Sequence, residues 1–306
     1  MKVSIQRLHN LTGHRSSIYA LAAAGPEGMF FSAGGDGITA LWDVNHPHEG
    51  TMLANIPAPI YALHHWQPGQ LLVIGHNFEG IQVIDWQNKR KAGSLAFTTA
   101  AIFDLQSHGE TLFAGSSDGV LTAIHLPSLT VKKQIKLSDK SLRCLSINTA
   151  TGELAAGYSD GFIRIFNLET LQLKHQFAAH GLSVFTVRYT PSQAYLLSAG
   201  RDARLKAWEV KSQYTCAGEV TAHMYAINHV EFSPDKKHFV TCSLDKTIKV
   251  WELPTLTLLK VIDRARHGGH GNSVNRLLWL NNPNCLISAS DDRTLSVWKI
   301  EVNPGA

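Results

Sequence analysis

The chain has little charge. Lys, Arg, Asp and Glu supply only 17% of its 306 residues, and the formal net charge is just +4. With apolar residues at 44%, that balance excludes a disordered chain or an acidic tail. So slight an excess of positive charge gives no reason on its own to expect nucleic acid as a partner. Cysteine is scarce as well. Cys144, Cys216, Cys242 and Cys285 form no CxxC pair, which argues against a zinc site and a disulfide framework. Their use fits a reducing cytoplasm. No window approaches the run of about eighteen apolar residues that spans a membrane, so no membrane insertion is expected. The opening Met1-Lys2-Val3-Ser4-Ile5-Gln6-Arg7 has no apolar stretch behind its positive charge, so no secretory leader is expected. No stretch carries helical periodicity long enough to cap and pack. No glycine-rich phosphate cradle follows a strand and opens a helix.

What the chain does have is repetition. The phrase IYAL at 18–21 and 60–63 returns as IFDL at 102–105, LRCL at 142–145, VFTV at 184–187, INHV at 227–230 and VNRL at 274–277. The intervals are 42, 42, 40, 42, 43 and 47 residues. A second phrase, an acidic turn followed by an apolar strand, keeps step from Asp36, Asp118, Asp160, Asp202, Asp245 and Asp292, with a worn version from Phe78. A third (LPSLTVKKQI, LETLQLKHQF, LPTLTLLKVI) follows in copies three, four and six. Within a copy, short runs of Val, Ile, Leu, Thr and aromatics are separated by Gly, Pro, Asn, Asp and Ser, which is the grammar of strands and turns. The reading is all-β: a seven-bladed β-propeller with four antiparallel strands per blade, because radial repetition leaves only short, protected edges. A single domain over 1–306 is expected, with a loop insertion at Arg264-Ala265-Arg266-His267-Gly268-Gly269. Only Lys299-Ile300-Glu301-Val302 separate Trp298 from Asn303-Pro304-Gly305, so the last copy lacks its fourth strand. Val3 to Leu8 at the N-terminus would complete that blade and close the ring.

Four residues recur at steps of 18, 4 and 6: His14, Ser32, Asp36 and Trp42; His180, Ser198, Asp202 and Trp208; His223, Thr241, Asp245 and Trp251; His270, Ser288, Asp292 and Trp298. They make the chain resemble the WD-repeat (Trp-Asp) β-propeller family over essentially its whole length. The resemblance implies that each set forms a buried chain, carboxylate to imidazole to hydroxyl to indole N–H, that fastens its blade. The chemistry is consistent, since His and Ser each donate and accept and a buried indole needs an acceptor. Ser, His and Asp also compose a hydrolytic constellation, but that would need the hydroxyl to face a substrate pocket and an oxyanion hole. Copies two to four depart from the pattern. They hold Ile74, Ala114 and Ala156 at the hydroxyl position and Ile84, Ile124 and Phe166 at the indole position, so they are expected to rely on apolar packing alone. Asp118 and Asp160 persist there as turn residues before glycine.

In the resembling family, the second residue of the IYAL-type phrase sits at a bulge on one end of the ring, and bulges re-aim side chains. Here that position holds Tyr19, Tyr61, Phe103, Arg143, Phe185, Asn228 and Asn275. The residue before the turn acid holds Gly35, Asn77, Ser117, Ser159, Arg201, Leu244 and Asp291. Aromatics and Arg are over-represented among interface hot spots. The expected function is therefore a non-enzymatic scaffold binding partner proteins or peptides on this face. The aromatics would be anchors, Arg143, Arg201 and Asp291 would read charge or polar groups, and Asn228 and Asn275 belong to the same partner-binding face. The plainer reading is that the aromatics merely plug the channel mouth. No cofactor or metal is expected: His64-His65 and His267 with His270 have no carboxylate or thiolate to complete a ligand set. Two alternatives stay open. A propeller hydrolase or lyase would have only Asp291 at the ring to work with, and its activity would vanish on Asp291→Asn. A subunit of an RNA-processing or ribosome-assembly particle would bind RNA with strong salt dependence. The basic runs Lys89-Arg90-Lys91 and Lys132-Lys133 have no interleaved aromatics to favour it.

Overall fold

The computed structural model describes residues 2–303; Met1 and 304–306, the ends of the expected domain, lie outside the described residues. Seven four-stranded antiparallel sheets follow one another along the chain. Six are sequential, at 18–55, 60–95, 102–136, 142–178, 184–221 and 227–262. The seventh takes three strands from 274–303 and its outermost from Lys2–Leu11.

The burial of each strand follows from its place in the sheet. Second strands such as Met29–Gly34 and Glu153–Tyr158 are buried nearly throughout, because neighbouring sheets cover both faces. Their sequences therefore read as continuous small and apolar runs rather than alternating ones. Outer strands such as Thr130–Lys136 meet solvent, which is why they carry the lysines. Seven apolar clusters fill the gaps between adjacent blades. One packs Phe31, Ile74 and Ile84 around Trp86; another packs Phe113, Leu121 and Ala156 around Phe166.

Ring closure is as the sequence implied, but longer. Lys2–Leu11 pairs with Leu295–Asn303 from Lys2 opposite Asn303 to Leu11 opposite Leu295. Val3 joins the cluster around Trp298, and Leu11 the cluster around Trp42. The insertion read as a loop instead forms one α-helical turn, Arg264–His267. Asp263 caps it by accepting from the Arg266 N–H at 2.8 Å, and Gly268 ends it at φ 65°. All seven inner strands break register after their first residue: at Ile18/Ala20, Ile60/Ala62, Ile102/Asp104, Leu142/Cys144, Val184/Thr186, Ile227/His229 and Val274/Arg276. The skipped residues are Tyr19, Tyr61, Phe103, Arg143, Phe185, Asn228 and Asn275.

Candidate functional site

The four recurring sets each form one continuous hydrogen-bonded chain. In the first, His14 Nδ1 lies 3.0 Å from Asp36, His14 Nε2 lies 2.7 Å from Ser32 Oγ, and Trp42 Nε1 donates to that oxygen at 2.8 Å. The same links occur at His180–Asp202 (2.8 Å), His180–Ser198 (2.8 Å) and Trp208–Ser198 (2.8 Å). They recur at His223–Asp245 (2.8 Å), His223–Thr241 (2.7 Å) and Trp251–Thr241 (2.9 Å). The last set has His270–Asp292 at 3.0 Å, His270–Ser288 at 2.8 Å and Trp298–Ser288 at 2.8 Å. Donors and acceptors balance with a neutral imidazole: indole to hydroxyl, hydroxyl to Nε2, Nδ1–H to carboxylate. The hydroxyls of Ser32, Ser198, Thr241 and Ser288 belong to residues with 0% exposure, so none presents a nucleophile to a substrate. Burial alone would raise the Asp245 carboxyl, but the His223 contact and the Thr247 hydroxyl and N–H outweigh it. The carboxyl is held well below its ordinary range, and the His270 and Thr294 contacts do the same for Asp292.

Copies two to four do not rest on apolar packing alone. In blade four, Asp160 accepts from Arg164 Nη2 at 3.0 Å, from Ser138 Oγ at 2.7 Å and from the Phe162 N–H at 3.0 Å. The Arg164 guanidinium lies 4.4 Å from the centre of the Tyr158 ring. A guanidinium on the blade's own third strand thus takes the role that an imidazole from the preceding loop has elsewhere. In blade three, Ser116 Oγ donates to Asp118 at 2.6 Å. In blade two, His65 packs edge-on against Phe31 and Trp86.

The bulge residues gather at one end of the channel. Tyr19 and Tyr61 have ring centres 5.0 Å apart, and Tyr61 and Phe103 5.6 Å. The Arg143 guanidinium continues the row at 4.2 Å from Phe103 and 5.7 Å from Phe185. All five are half-buried. Asn228, Asn275 and Asp291 are instead tied into the ring by hydrogen bonds. Asn228 Nδ2 donates to the Val274 carbonyl at 2.8 Å and to Ser273 Oγ at 3.0 Å. Asn275 Nδ2 donates to Asp291 at 2.8 Å and to the Ile18 carbonyl at 3.0 Å, linking blades seven and one. Arg201 is exposed beside this mouth. Exposed apolar side chains also lie on the same face: Leu244, which its turn position marks, and Phe78, Leu182, Met224 and Tyr225, which sequence reading missed. The Leu244 N–H to Ala226 carbonyl bond, 3.0 Å, and the Arg201 N–H to Ser183 carbonyl bond, 2.9 Å, hold these turns beside the loops that enter the inner strands. Only the register of the turns, visible in the repeat, would have flagged the missed ones.

Deeper in the channel, Asp104 of blade three faces Arg276 of blade seven at 3.5 Å and accepts the Leu145 N–H at 2.8 Å. Arg188 pairs with Glu231 at 2.7 Å. Burial raises the Asp104 carboxyl against the pull of Arg276, and burial with two nearby arginines pushes His229 far down. Neither the cross-channel Asp104–Arg276 pair nor the Arg188–Glu231 pair between adjacent blades five and six was foreseen. His64 and His65 diverge: His64 Nε2 meets Ser107 Oγ at 2.7 Å, on the side away from the His65 cluster. Among the described residues, no group of three or more His, Cys, Asp or Glu side chains is arranged to hold a metal, and no helix is long and apolar enough to cross a membrane. Cys144, Cys242 and Cys285 are buried thiols whose ionisation burial suppresses, Cys285 rising to about 11; Cys216 is exposed.

Seven four-stranded blades, four of them fastened in this way, define a WD-type propeller. The family model described as "WD domain, G-beta repeat" matches residues 5–43, 171–209, 214–252 and 262–299, just over half of the chain, and the chain belongs to that family. The matched stretches contain the four complete His–Asp–Trp sets. The chain is 26% identical over 121 residues to an uncharacterized WD repeat-containing protein of Schizosaccharomyces pombe, covering 40% of this chain and 30% of that one. It is 23% identical over 213 residues to human Striatin-3, covering 70% of this chain and 23% of that one. It thus spans less than a third of the length of these curated relatives. In fold it is similar to the WD40 propeller domain of Doa1, with a TM-score of 0.85, 15% identity, and coverage of 96% of this chain and 97% of that one. Propellers of this family are typically protein-interaction scaffolds.

Proposed function

We propose that this chain is a non-enzymatic platform, one propeller domain working in the cytoplasm, that holds protein segments on the face carrying the seven bulge residues. The observation that carries the reading is the unbroken row Tyr19–Tyr61–Phe103–Arg143–Phe185, half-buried, with tilted rings and a guanidinium in contact across five blades. Rigid aromatics and a pre-oriented guanidinium provide contact area at little entropic cost. Anchoring is assigned to these five and to Arg201. Asn228, Asn275 and Asp291, bonded to one another's blades, buttress the mouth. The exposed apolar side chains outside it add area that a soluble surface would not otherwise require.

The test is the double variant Tyr61→Ala/Phe103→Ala in the full chain. Affinity capture followed by identification of co-purifying proteins should lose partners that the wild type retains. Melting should stay close to wild type, because both rings already face the mouth. Retention of every wild-type partner by a folded double variant would remove this face from consideration.

A further inference from the structure

A second site lies away from the channel, where the ring closes. Between the strand Lys2–Leu11, the inserted turn Arg264–His267 and the acidic turn of blade seven is a pocket of about 550 Å³. Arg7, Asn10, Arg264, Gly271, Thr294 and Ser296 line it. The insertion is what distinguishes blade seven: its interval is 47 residues, against 40 to 43 elsewhere.

The glycines of the insertion let two guanidinium groups lie close against its backbone. A Cβ added at Gly268 would come within 3.3 Å of Arg7 Nη2, and one added at Gly271 within 3.2 Å of Arg264 Nη1. Arg7 also donates to the Gly268 carbonyl. Of the two carboxylates at hand, Asp292 lines the pocket and Asp263 lies beside it, and each is engaged by partners other than Arg7 and Arg264. Asp263 takes Arg266 Nη2 at 2.6 Å, Arg266 Nε at 2.8 Å and the Arg266 N–H at 2.8 Å. Asp292 takes His270 Nδ1 at 3.0 Å, the Gly271 N–H at 2.9 Å, and the Thr294 hydroxyl and N–H at 2.7 and 3.1 Å. Among the described residues, neither Arg7 nor Arg264 forms an ion pair. Two guanidiniums without an ion-pair partner, Arg7 bonded to the Gly268 carbonyl and Arg264 free of any side-chain bond among the described residues, thus line one pocket with the amides of Asn10 and Asn272, the hydroxyls of Thr294 and Ser296, and the bonded His270–Asp292 pair.

We propose that this pocket binds a phosphate monoester. The planar guanidinium fork matches phosphate oxygens in a bidentate manner, and charge-assisted bonds of this kind are the strong ones. The volume exceeds what a bare anion fills, so the ester substituent enters with the phosphate. The monoester could be a phosphorylated serine side chain of a protein or a small phosphorylated metabolite.

Calorimetric titration of the full chain distinguishes these sources, with O-phosphoserine and adenosine 5′-monophosphate as probes and acetate as the carboxylate control. Wild type should bind at least one phosphate ester more tightly than acetate, and the tighter of the two assigns the source. Arg264→Gln should lose about tenfold or more of that affinity while melting like wild type, since the Arg264 guanidinium supports no structural bond. Arg7→Gln should lose as much, with some loosening of the insertion. Lys246→Gln, an equal loss of charge in the matching turn of blade six, should bind as wild type does. No binding by either ester, equal binding of acetate, or an unchanged affinity in Arg264→Gln would each overturn the assignment.

Discussion

At the scale of single residues, the decisive feature is that each fastening group has both neighbours in place. Asp202 takes the His180 Nδ1–H at 2.8 Å and the Arg204 N–H at 3.2 Å, at the surface end of a chain whose other members are buried. Asp202→Ala leaves the buried imidazole proton without an acceptor and should cost about 1–3 kcal/mol. Asp118→Ala in worn blade three removes an exposed acceptor from Ser116, which keeps its bond to the Val120 carbonyl at 3.0 Å. It should stay within about 0.5 kcal/mol of wild type. Chemical denaturation of the two variants checks the contrast, and equal losses would argue that Asp202 is not part of a buried network. These sets were legible in the sequence because strand pairing fixes their spacing: Ser32 lies on the second strand and Trp42 on the third, directly across from one another's neighbours. Arg164 was not legible, because it sits where other copies carry ordinary residues and takes its meaning only from Asp160 beside it. The Asp104–Arg276 pair joins blades on opposite sides of the channel, so no local spacing encodes it.

At the scale of elements, the N-terminal strand carries the most. It covers the open edge of Leu295–Asn303 and buries Val3 and Leu11, which contribute roughly 1.5–3 kcal/mol each when fully buried. A chain lacking residues 1–10 would expose an unpaired edge and uncover the cluster around Trp298. Its thermal transition should move down as a whole rather than acquire a small early step, and light scattering should rise. Melting unchanged from wild type would remove the strand from the closure. The sequence located this strand by what the last repeat lacked, and the structure extends it to Leu11 because its antiparallel partner begins at Leu295, opposite Leu11. The inserted helical turn escaped notice for a physical reason. Four residues hold one turn, too short for any periodicity, and its only marks are the Asp263 cap and Gly268.

At the scale of the whole molecule, fastening and recognition divide the ring. Blades five, six, seven and one hold the complete hydrogen-bonded sets, while Tyr61, Phe103 and Arg143 belong to blades two, three and four. The row of mouth residues thus runs across the three blades without complete sets and is flanked by Tyr19 and Phe185 on fastened blades one and five. Protonation should expose how much the ring depends on buried neutral imidazoles. Burial pushes His64 down to about 4, and it lowers His65, His223 and, far more, His229. Above pH 6.5 these groups are neutral in both folded and unfolded chains and contribute no pH dependence. Between 6.5 and about 4 the unfolded chain takes up protons that the folded one refuses, so stability falls as acid is added, by up to ~1.4 kcal/mol per pH unit for each histidine. Asp104, whose carboxyl is raised, works in the opposite direction over part of that range. Below about pH 4 the depressed carboxylates Asp202, Asp245 and Asp292 add to the loss as the unfolded chain protonates them first. Melting temperature should thus be level near pH 7 to 8, decline through pH 6 to 4.5 and drop steeply below. His64→Gln, which keeps a hydrogen bond within reach of Ser107, should flatten the middle slope by one histidine's share. A melting curve independent of pH between 7 and 4.5 would mean that these histidines are solvated in the folded chain rather than desolvated by burial.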